Sequence, residues 1–292
     1  MMFPSLSLRA VLMACATVTL PLSSLSAAEP ICIVFQNGRA VPLAAVALQA
    51  DKLVITAAAD GFTVGQAFPL QAADHVFGEK PATLNPAIAL VLMDKPQDAL
   101  KLLEPIISEQ RLTAKIPGNF WMEAARAALV AYAVAGDAAK CSEIGKEISE
   151  ASSNQGSDPF VSLGKALQLP VATKADERGV ALGDLTTDNL PADVCAYASF
   201  YRANLLSGLK RDAIPARALE QDVAALEAYL TVPCLFPSGG MILNGIAELK
   251  AAEFLVNLGR QEEAVALLKS SIRNGSGTLV AVAAEKRLVI LK

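Results

Sequence analysis

The stretch from Ile246 to Ile272 constrains the fold of this 292-residue chain more than any other part of it. Apolar residues recur three and four positions apart on both sides of Gly259, with charged residues between them, and this spacing predicts two amphipathic helices. Gly259 occupies the place of the left-handed residue that ends many helices. Two helices on so short a connection form an antiparallel hairpin. The stretch therefore predicts a chain that contains stacked helical hairpins.

Small and apolar residues are spaced along this hairpin in the order of a known repeat. The residues that carry the match are Ala252, Leu255, Gly259, Ala264, Leu268 and Ser271. On these residues the hairpin resembles a tetratricopeptide repeat. Two positions depart from the family: Glu248 stands where the repeat usually has a bulky aromatic residue, and Ser276 stands where it usually has proline.

An earlier segment, Pro86 to Ile107, repeats the pattern more loosely. Its matching residues are Ala87, Leu90, Asp94, Ala99 and Leu103. Because a solenoid core normally needs three or more repeats, an irregular helical bundle is the alternative. We predict a mainly α fold, in which a tetratricopeptide-like hairpin stack (an α-solenoid) occupies residues 81–292.

Residues 29–80 have a different pattern, typical of β structure. Asn37-Gly38 and Asp60-Gly61 are hairpin-turn signals, and short apolar runs rich in β-branched residues flank them. Four or five short strands in so few residues predict a small β-barrel. The order resembles the SH3-like or Sm-like barrels at the front of some exported bacterial proteins. The residues that carry this resemblance are Asn37, Gly38, Asp60, Gly61, Pro69 and Leu70.

Helical periodicity accounts for most of the remaining chain. It predicts helices near residues 86–93, 96–109, 119–135, 137–152, 158–168, 191–208, 212–230, 240–258, 261–273 and 278–291. Residues 170–190 are rich in polar and turn-forming residues and are predicted to form a long loop. The segment Ala87 to Met93 is apolar all round, so we expect it to be buried on both sides, between the barrel and the following helices.

Residues 1–28 have the composition of a secretory signal peptide. Arg9 is their only charged residue, an apolar run from Ala10 to Leu22 follows, and small residues end the segment. We expect cleavage after Ala28, which a measured mass beginning at Glu29 would confirm. Lipid attachment at Cys15 is the alternative, but the run between Arg9 and Cys15 is short for an apolar core. A membrane anchor requires about 20 apolar residues, and no later segment is predicted to be transmembrane.

The charge and cysteine content limit the kinds of partner and the cellular compartment that we expect for the protein. The net charge is −4, and it becomes −5 without the segment that carries Arg9. No basic run is present, so we expect no nucleic-acid partner. Four cysteines remain, and in an exported chain these either form disulfides or stay as buried free thiols. Cys195 and Cys234 are the pair to test first. The four cysteines are Cys32, Cys141, Cys195 and Cys234.

A search for catalytic motifs finds no complete one. The chain has one histidine, His75, and strand alternation predicts that Asp74 beside it points to the opposite face. Ser162 and Ser207 each have a lysine three residues on, but the KTG strand that accompanies this spacing in penicillin-binding enzymes is absent. We therefore predict no catalytic, cofactor-binding or metal-binding residue.

The predicted function is that of an exported scaffold or adapter that binds another protein or helps to assemble the bacterial envelope, in the periplasm or outside the cell. A polysaccharide-binding module and an enzyme without a recognisable motif are the alternatives. In tetratricopeptide repeats the first helix of each hairpin lines the concave face. The resemblance places Glu253 and Asn257 on that face, one turn apart, as candidate hydrogen-bonding residues for a protein partner.

Overall fold

A computed structural model of the chain describes residues 30–59, 61–152, 158–187, 189–210 and 212–291. The predicted signal peptide at residues 1–28 lies outside the described residues, as does Asp60 of the second hairpin signal.

Short strands fill the N-terminal region and form two separate antiparallel sheets. The strands are β1 (Cys32–Phe35), β2 (Ala40–Pro42), β3 (Val46–Gln49), β4 (Lys52–Ile55), β5 (Ala67–Pro69) and β6 (Ala73–Phe77). The strand orders are β2-β1-β6 and β3-β4-β5. Within the described part of the chain the ladders do not join into a closed barrel, so the prediction of a small β-barrel is corrected to a small two-sheet region.

Two proline-initiated turns explain why the ladders separate. Proline has no N–H to donate to a ladder, and Pro42 and Pro69 each precede a 3₁₀ turn, at Leu43–Ala45 and Leu70–Ala72. The first turn carries the chain from β2 into β3 and the second carries it back from β5 into β6. Both sheets nevertheless face one core. That core consists of Ile33, Phe35, Val41, Ala45, Val46, Leu53, Ile55, Val76 and Ile116.

The rest of the described chain is helical. Its α-helices are α1 (Leu84–Leu92), α2 (Pro96–Gln110), α3 (Trp121–Ala135), α4 (Ala138–Ala151), α5 (Pro159–Gln168), α6 (Val171–Gly183), α7 (Ala192–Gly208), α8 (Pro215–Leu235), α9 (Met241–Asn257), α10 (Gln261–Asn274) and α11 (Leu279–Ile290). The protein is therefore mainly helical, as predicted. The ten predicted helices are present.

The predicted loop at residues 170–190 is wrong, because α6 occupies most of it. Lys174 has non-helical dihedral angles and kinks α6, and Leu182 is the one fully buried residue within the helix. A helix that buries so little carries almost no apolar stripe, so periodicity does not reveal it. The end of α8 was also predicted too early, since the helix continues through Pro233 to Leu235.

The helices are arranged as an inner group surrounded by an outer one. In the inner group, contacts run from α1 to α3, α5, α7 and α9 in turn, and α9 contacts α1 again. Helices α1, α3, α7 and α9 are buried around most of their circumference. By contrast, α2, α4 and α10 each bury one face. The five inner helices thus form a closed ring.

The position of α1 differs from the prediction that the two-sheet region would cover one side of it. Its main packing partners are α2, α3, α9 and α11. The segment before α3 instead joins the sheets to the helices: Ile116 lies in the sheet core, and the Val76 N–H donates to the Pro117 carbonyl at 2.8 Å. Gly118 has φ +75°, and a Cβ there would lie 2.9 Å from the Val76 carbonyl oxygen, so this junction requires glycine.

Three helix-to-helix turns have the same hydrogen-bonded geometry. Asp94, Gly136 and Gly259 each adopt positive φ after an inner helix. At each turn the next residue donates its N–H to the carbonyl five positions earlier, in the bonds Lys95 to Leu90 (2.9 Å), Asp137 to Tyr132 (2.9 Å) and Arg260 to Leu255 (2.8 Å). These are Schellman bonds. The turn residue's own N–H bonds three positions back in all three cases.

A small buried residue follows each of these turns at the same distance. Ala99, Cys141 and Ala264 lie five residues after the turn residue, and all three are buried. Sequence comparison within the chain reveals the first and third units, whereas the second has cysteine in place of alanine and escapes that comparison. The hairpins α1–α2, α3–α4 and α9–α10 are therefore built on one local plan.

We expect Ala264→Leu to destabilise the protein by about 1–3 kcal/mol, because Ala264 is fully buried on α10, which packs against α9, and extra methyl groups there force a shift. Ala266→Leu is the matched control, since Ala266 is exposed on the same helix. Thermal unfolding of both variants measures the difference. Equal melting temperatures would show that the helix faces are wrongly assigned.

Candidate functional site

A cleft of about 570 Å³ lies at one end of the helix ring. Each inner helix contributes residues from its first two turns, among them Ile88 of α1, Met122 of α3, Phe160 of α5, Asp193 of α7 and Met241 of α9. The N-terminal ends of the five inner helices therefore meet at this cleft. Its volume falls in the range of small-ligand and side-chain binding sites.

Arg126 is the polar centre of the cleft and is held from three sides. Its Nη2 donates to Asp158 Oδ2 at 2.7 Å, its Nη1 lies 3.4 Å from Asp193 Oδ2, and its guanidinium stacks 4.8 Å from the centre of the Phe160 ring. A planar guanidinium suits such combined pairing and stacking. Arg126 is thereby fixed as part of the wall.

The carboxylate of Asp158 anchors this arrangement because it is buried and fully used. Asp158 Oδ1 accepts the N–H of Phe160 at 3.0 Å, as the N-cap of α5, and Oδ2 also accepts the Ser152 hydroxyl at 2.9 Å. Arg126, Phe160 and Ser152 thus all donate hydrogen bonds to the Asp158 carboxylate. A carboxylate can be buried only when it accepts hydrogen bonds of this kind.

The remaining charges of the cleft differ in how well they are paired. Lys80 Nζ lies 2.6 Å from Glu123 Oε1, so those two charges compensate each other. Arg273, at the C-terminal end of α10, is exposed and makes no ion pair with any described residue. Arg273 is thus the cationic group of the cleft that is available to a ligand.

The apolar part of the cleft lies beside these charges. It comprises Ile88, Met122, Ala127, Met241, Ile242 and Leu243. Met241 is 65% exposed at the rim, an unusual position for a large apolar residue. The cleft can therefore accept an apolar group and a negatively charged group at the same time.

Tyr197 adds a neutral polar group to the wall. Burial, with smaller contributions from the Glu123 and Asp193 carboxylates, raises the pKa of Tyr197 above its usual value. A raised phenol pKa keeps the hydroxyl protonated at physiological pH. Glu123 and Asp193 are each paired with a cation, the arrangement of structural ion pairs.

Close helix approach at two glycines gives the cleft its shape. A Cβ on Gly239 would lie 2.3 Å from Ala196 Cβ, so only glycine lets the 3₁₀ turn before α9 (Pro237–Gly239) approach α7 this closely. A Cβ on Gly245 would lie 3.0 Å from the Gly275 nitrogen, where α9 crosses the end of α10. These contacts bring Met241 and Arg273 to the same cleft.

Glu248, which departs from the repeat pattern, also positions the cleft wall. It is buried and accepts hydrogen bonds from Ser270 Oγ at 2.7 Å and Asn274 Nδ2 at 2.9 Å. Asn274 lines the cleft next to Arg273. Glu248 therefore ties α9 to the end of α10.

The residues predicted to bind a partner, Glu253 and Asn257, do not line this cleft. Glu253 is partly exposed, with Oε2 4.0 Å from Lys250 Nζ, and Asn257 is exposed one turn further along α9. The cleft itself was missed at the sequence level because its residues are scattered from Lys80 to Ser276. Ile88 lies within the helix predicted near residues 86–93 and Asn85 directly precedes it, but nothing in their spacing marks a binding site.

The other residues singled out in the sequence lie outside the cleft. The expectation that Asp74 points away from His75 is wrong: His75 Nδ1 lies 2.8 Å from Asp74 Oδ2, and both side chains are exposed. Cys141 and Cys234 are free thiols in the described part of the chain, so the Cys195–Cys234 disulfide is not present. Within the described ranges, no three metal-ligating side chains of the His, Cys, Asp or Glu type are grouped together.

Comparison with protein-family models, with curated proteins and with solved structures finds no match for this chain.

We expect Asp158→Ala to lower the free energy of unfolding by about 2–4 kcal/mol, because it removes an N-cap and leaves the buried part of Arg126 unpaired. Asp193→Ala removes the other, more exposed partner of Arg126 and should cost less than about 1 kcal/mol. Urea unfolding of both variants measures the difference. Equal losses would contradict the anchoring role of Asp158.

Proposed function

We propose that this protein is an exported binding module that holds a segment of another polypeptide in the cleft at the end of its helix ring. The observation that carries the proposal is that one cavity of about 570 Å³ combines an apolar surface with Arg273, a cation that has no ion-pair partner among the described residues. A polypeptide segment that carries an apolar side chain next to an acidic one matches both features.

We further propose that the helical region is tetratricopeptide-like. The three equivalent turns at Asp94, Gly136 and Gly259 support this, as do the small buried residues that follow them. An open solenoid has no contact between its first and last helices, whereas α1 here contacts α9 and α11. The proposed form is therefore a tetratricopeptide-like array whose ends meet.

The ion pairs that Arg126 makes within the protein support binding rather than catalysis as the role of the cleft. Arg126, Glu123 and Asp193 are committed to ion pairs within the protein. A cleft wall whose charged groups are held by ion pairs is rigid and prepared for recognition. The proposal of export, and with it a periplasmic or extracellular partner, rests on the pattern of residues 1–28. Among the described helices, none combines the length and apolarity needed to cross a membrane.

Pull-down from an envelope extract with the purified mature chain tests the proposed function. We expect the protein to capture a polypeptide partner, and Met241→Arg to abolish that capture, because the new side chain places a charge on the apolar part of the cleft. Leu235→Arg is the matched control, since Leu235 is 69% exposed and does not line the cleft.

Both variants should melt at the temperature of the parent protein, because both positions are exposed at the surface. Capture that survives Met241→Arg, or capture that Leu235→Arg reduces equally, would show that the partner does not occupy the cleft.

A further inference from the structure

A second concave surface, the α9–α11 groove, lies between the last helix and α9. Its volume is about 310 Å³, and it is lined by Leu249, Lys250 and Glu253 of α9, by Lys286 and Ile290 of α11 and by neighbouring residues. Met93, which follows the C-terminal end of α1, also lines it. The cleft lies at the N-terminal ends of the inner helices. The cleft and the α9–α11 groove share no lining residue.

The charges of this groove are mostly basic, in a chain whose net charge is −4. Lys250, Lys286 and Arg287 line it, and Glu253 is the carboxylate that opposes them. Lys250 lies 4.0 Å from Glu253, while Lys286 and Arg287 make no ion pair with any described residue. The groove therefore carries an excess of positive charge that its own residues do not neutralise.

Apolar residues on α11 extend the groove outward. Ala283, Arg287 and Ile290 recur at helical spacing on the face that lines the groove. Ile290 is 71% exposed and Val289 beside it is 74% exposed, with Val282 two turns earlier at 43%. Helix α11 therefore presents large apolar residues next to its cations.

We propose that the α9–α11 groove is a docking site for an acidic amphipathic helix of a partner protein. Charge complementarity selects an acidic partner, and the exposed apolar residues call for an apolar face on it. A groove between two helices accepts a third helix through anchors spaced three and four residues apart. The groove is concave, which favours an inserted helix over a flat anionic membrane surface. This proposal is independent of what the cleft binds.

The test uses a fluorescein-labelled synthetic peptide designed as a helix with leucine on one face and glutamate on the other, and a matched peptide with lysine in place of each glutamate. Fluorescence anisotropy with the purified mature chain should show binding of the acidic peptide and not of the basic one. Because the contacts are between charges near the surface, raising the salt concentration should weaken the binding.

Variants locate the binding and separate it from folding. We expect Lys286→Glu to weaken binding of the acidic peptide about tenfold, and Glu253→Gln to strengthen it by removing the opposing carboxylate. Ile290→Ser should weaken binding without any change of charge. Lys165→Glu is the matched control, because Lys165 is an exposed helical lysine outside the groove. Thermal melts confirm that each variant is folded.

Three results would overturn the proposal: no binding of the acidic peptide, equal binding of the basic peptide, or equal effects of Lys286→Glu and Lys165→Glu. Vesicles of phosphatidylglycerol and phosphatidylcholine form the last arm. Vesicle binding that Lys286→Glu abolishes, without binding of the acidic peptide, would assign the surface to an anionic membrane and contradict the docking of a protein helix.

Discussion

The burial of α1 between α3 and α9 is the contact on which the rest of the structure depends. Leu84, Ala87, Ala89, Val91 and Leu92 are almost completely buried, so α1 exposes little apolar surface to water. Burial of that surface is the main free-energy gain available to a helix whose residues form few ion pairs. Because α9 covers one side of α1, the chain must return to the first helix of the ring to end that helix's exposure to water. The closed ring, and the convergence of helix N-termini at the cleft, follow from this return.

Much of the helical region was predictable, because its signals are local. Helix periodicity located ten of the helices, and the left-handed turns at Asp94 and Gly259 belong to units recognised from small-residue spacing alone. The unit at Gly136 was not recognised, since Cys141 replaces the alanine and Tyr132 the leucine. Helix α6 was missed because Leu182 is its one fully buried residue. Local patterns thus predict elements that bury a periodic apolar face and fail for those that do not.

The sheet arrangement and the cleft were not predictable in the same way, because both depend on contacts between distant residues. The turns after Pro42 and Pro69 redirect strands that the apolar pattern places in one barrel. In the cleft, Arg126 pairs with Asp158 and Asp193, and these three residues are separated in sequence by whole helices. Glu248 appeared as a departure from the repeat, and the structure gives it a positioning role through Asn274.

Helix α1 is an interior helix of a closed ring, and native-state hydrogen exchange of the protein measures how deeply it is buried. Amide protection increases with the free energy needed to open a helix. We expect amides of residues 84–92 to exchange as slowly as those of α9, and much more slowly than those of the exposed helix α6. Exchange of α1 as rapid as that of α6 would contradict ring closure and indicate an open array with α1 at its end.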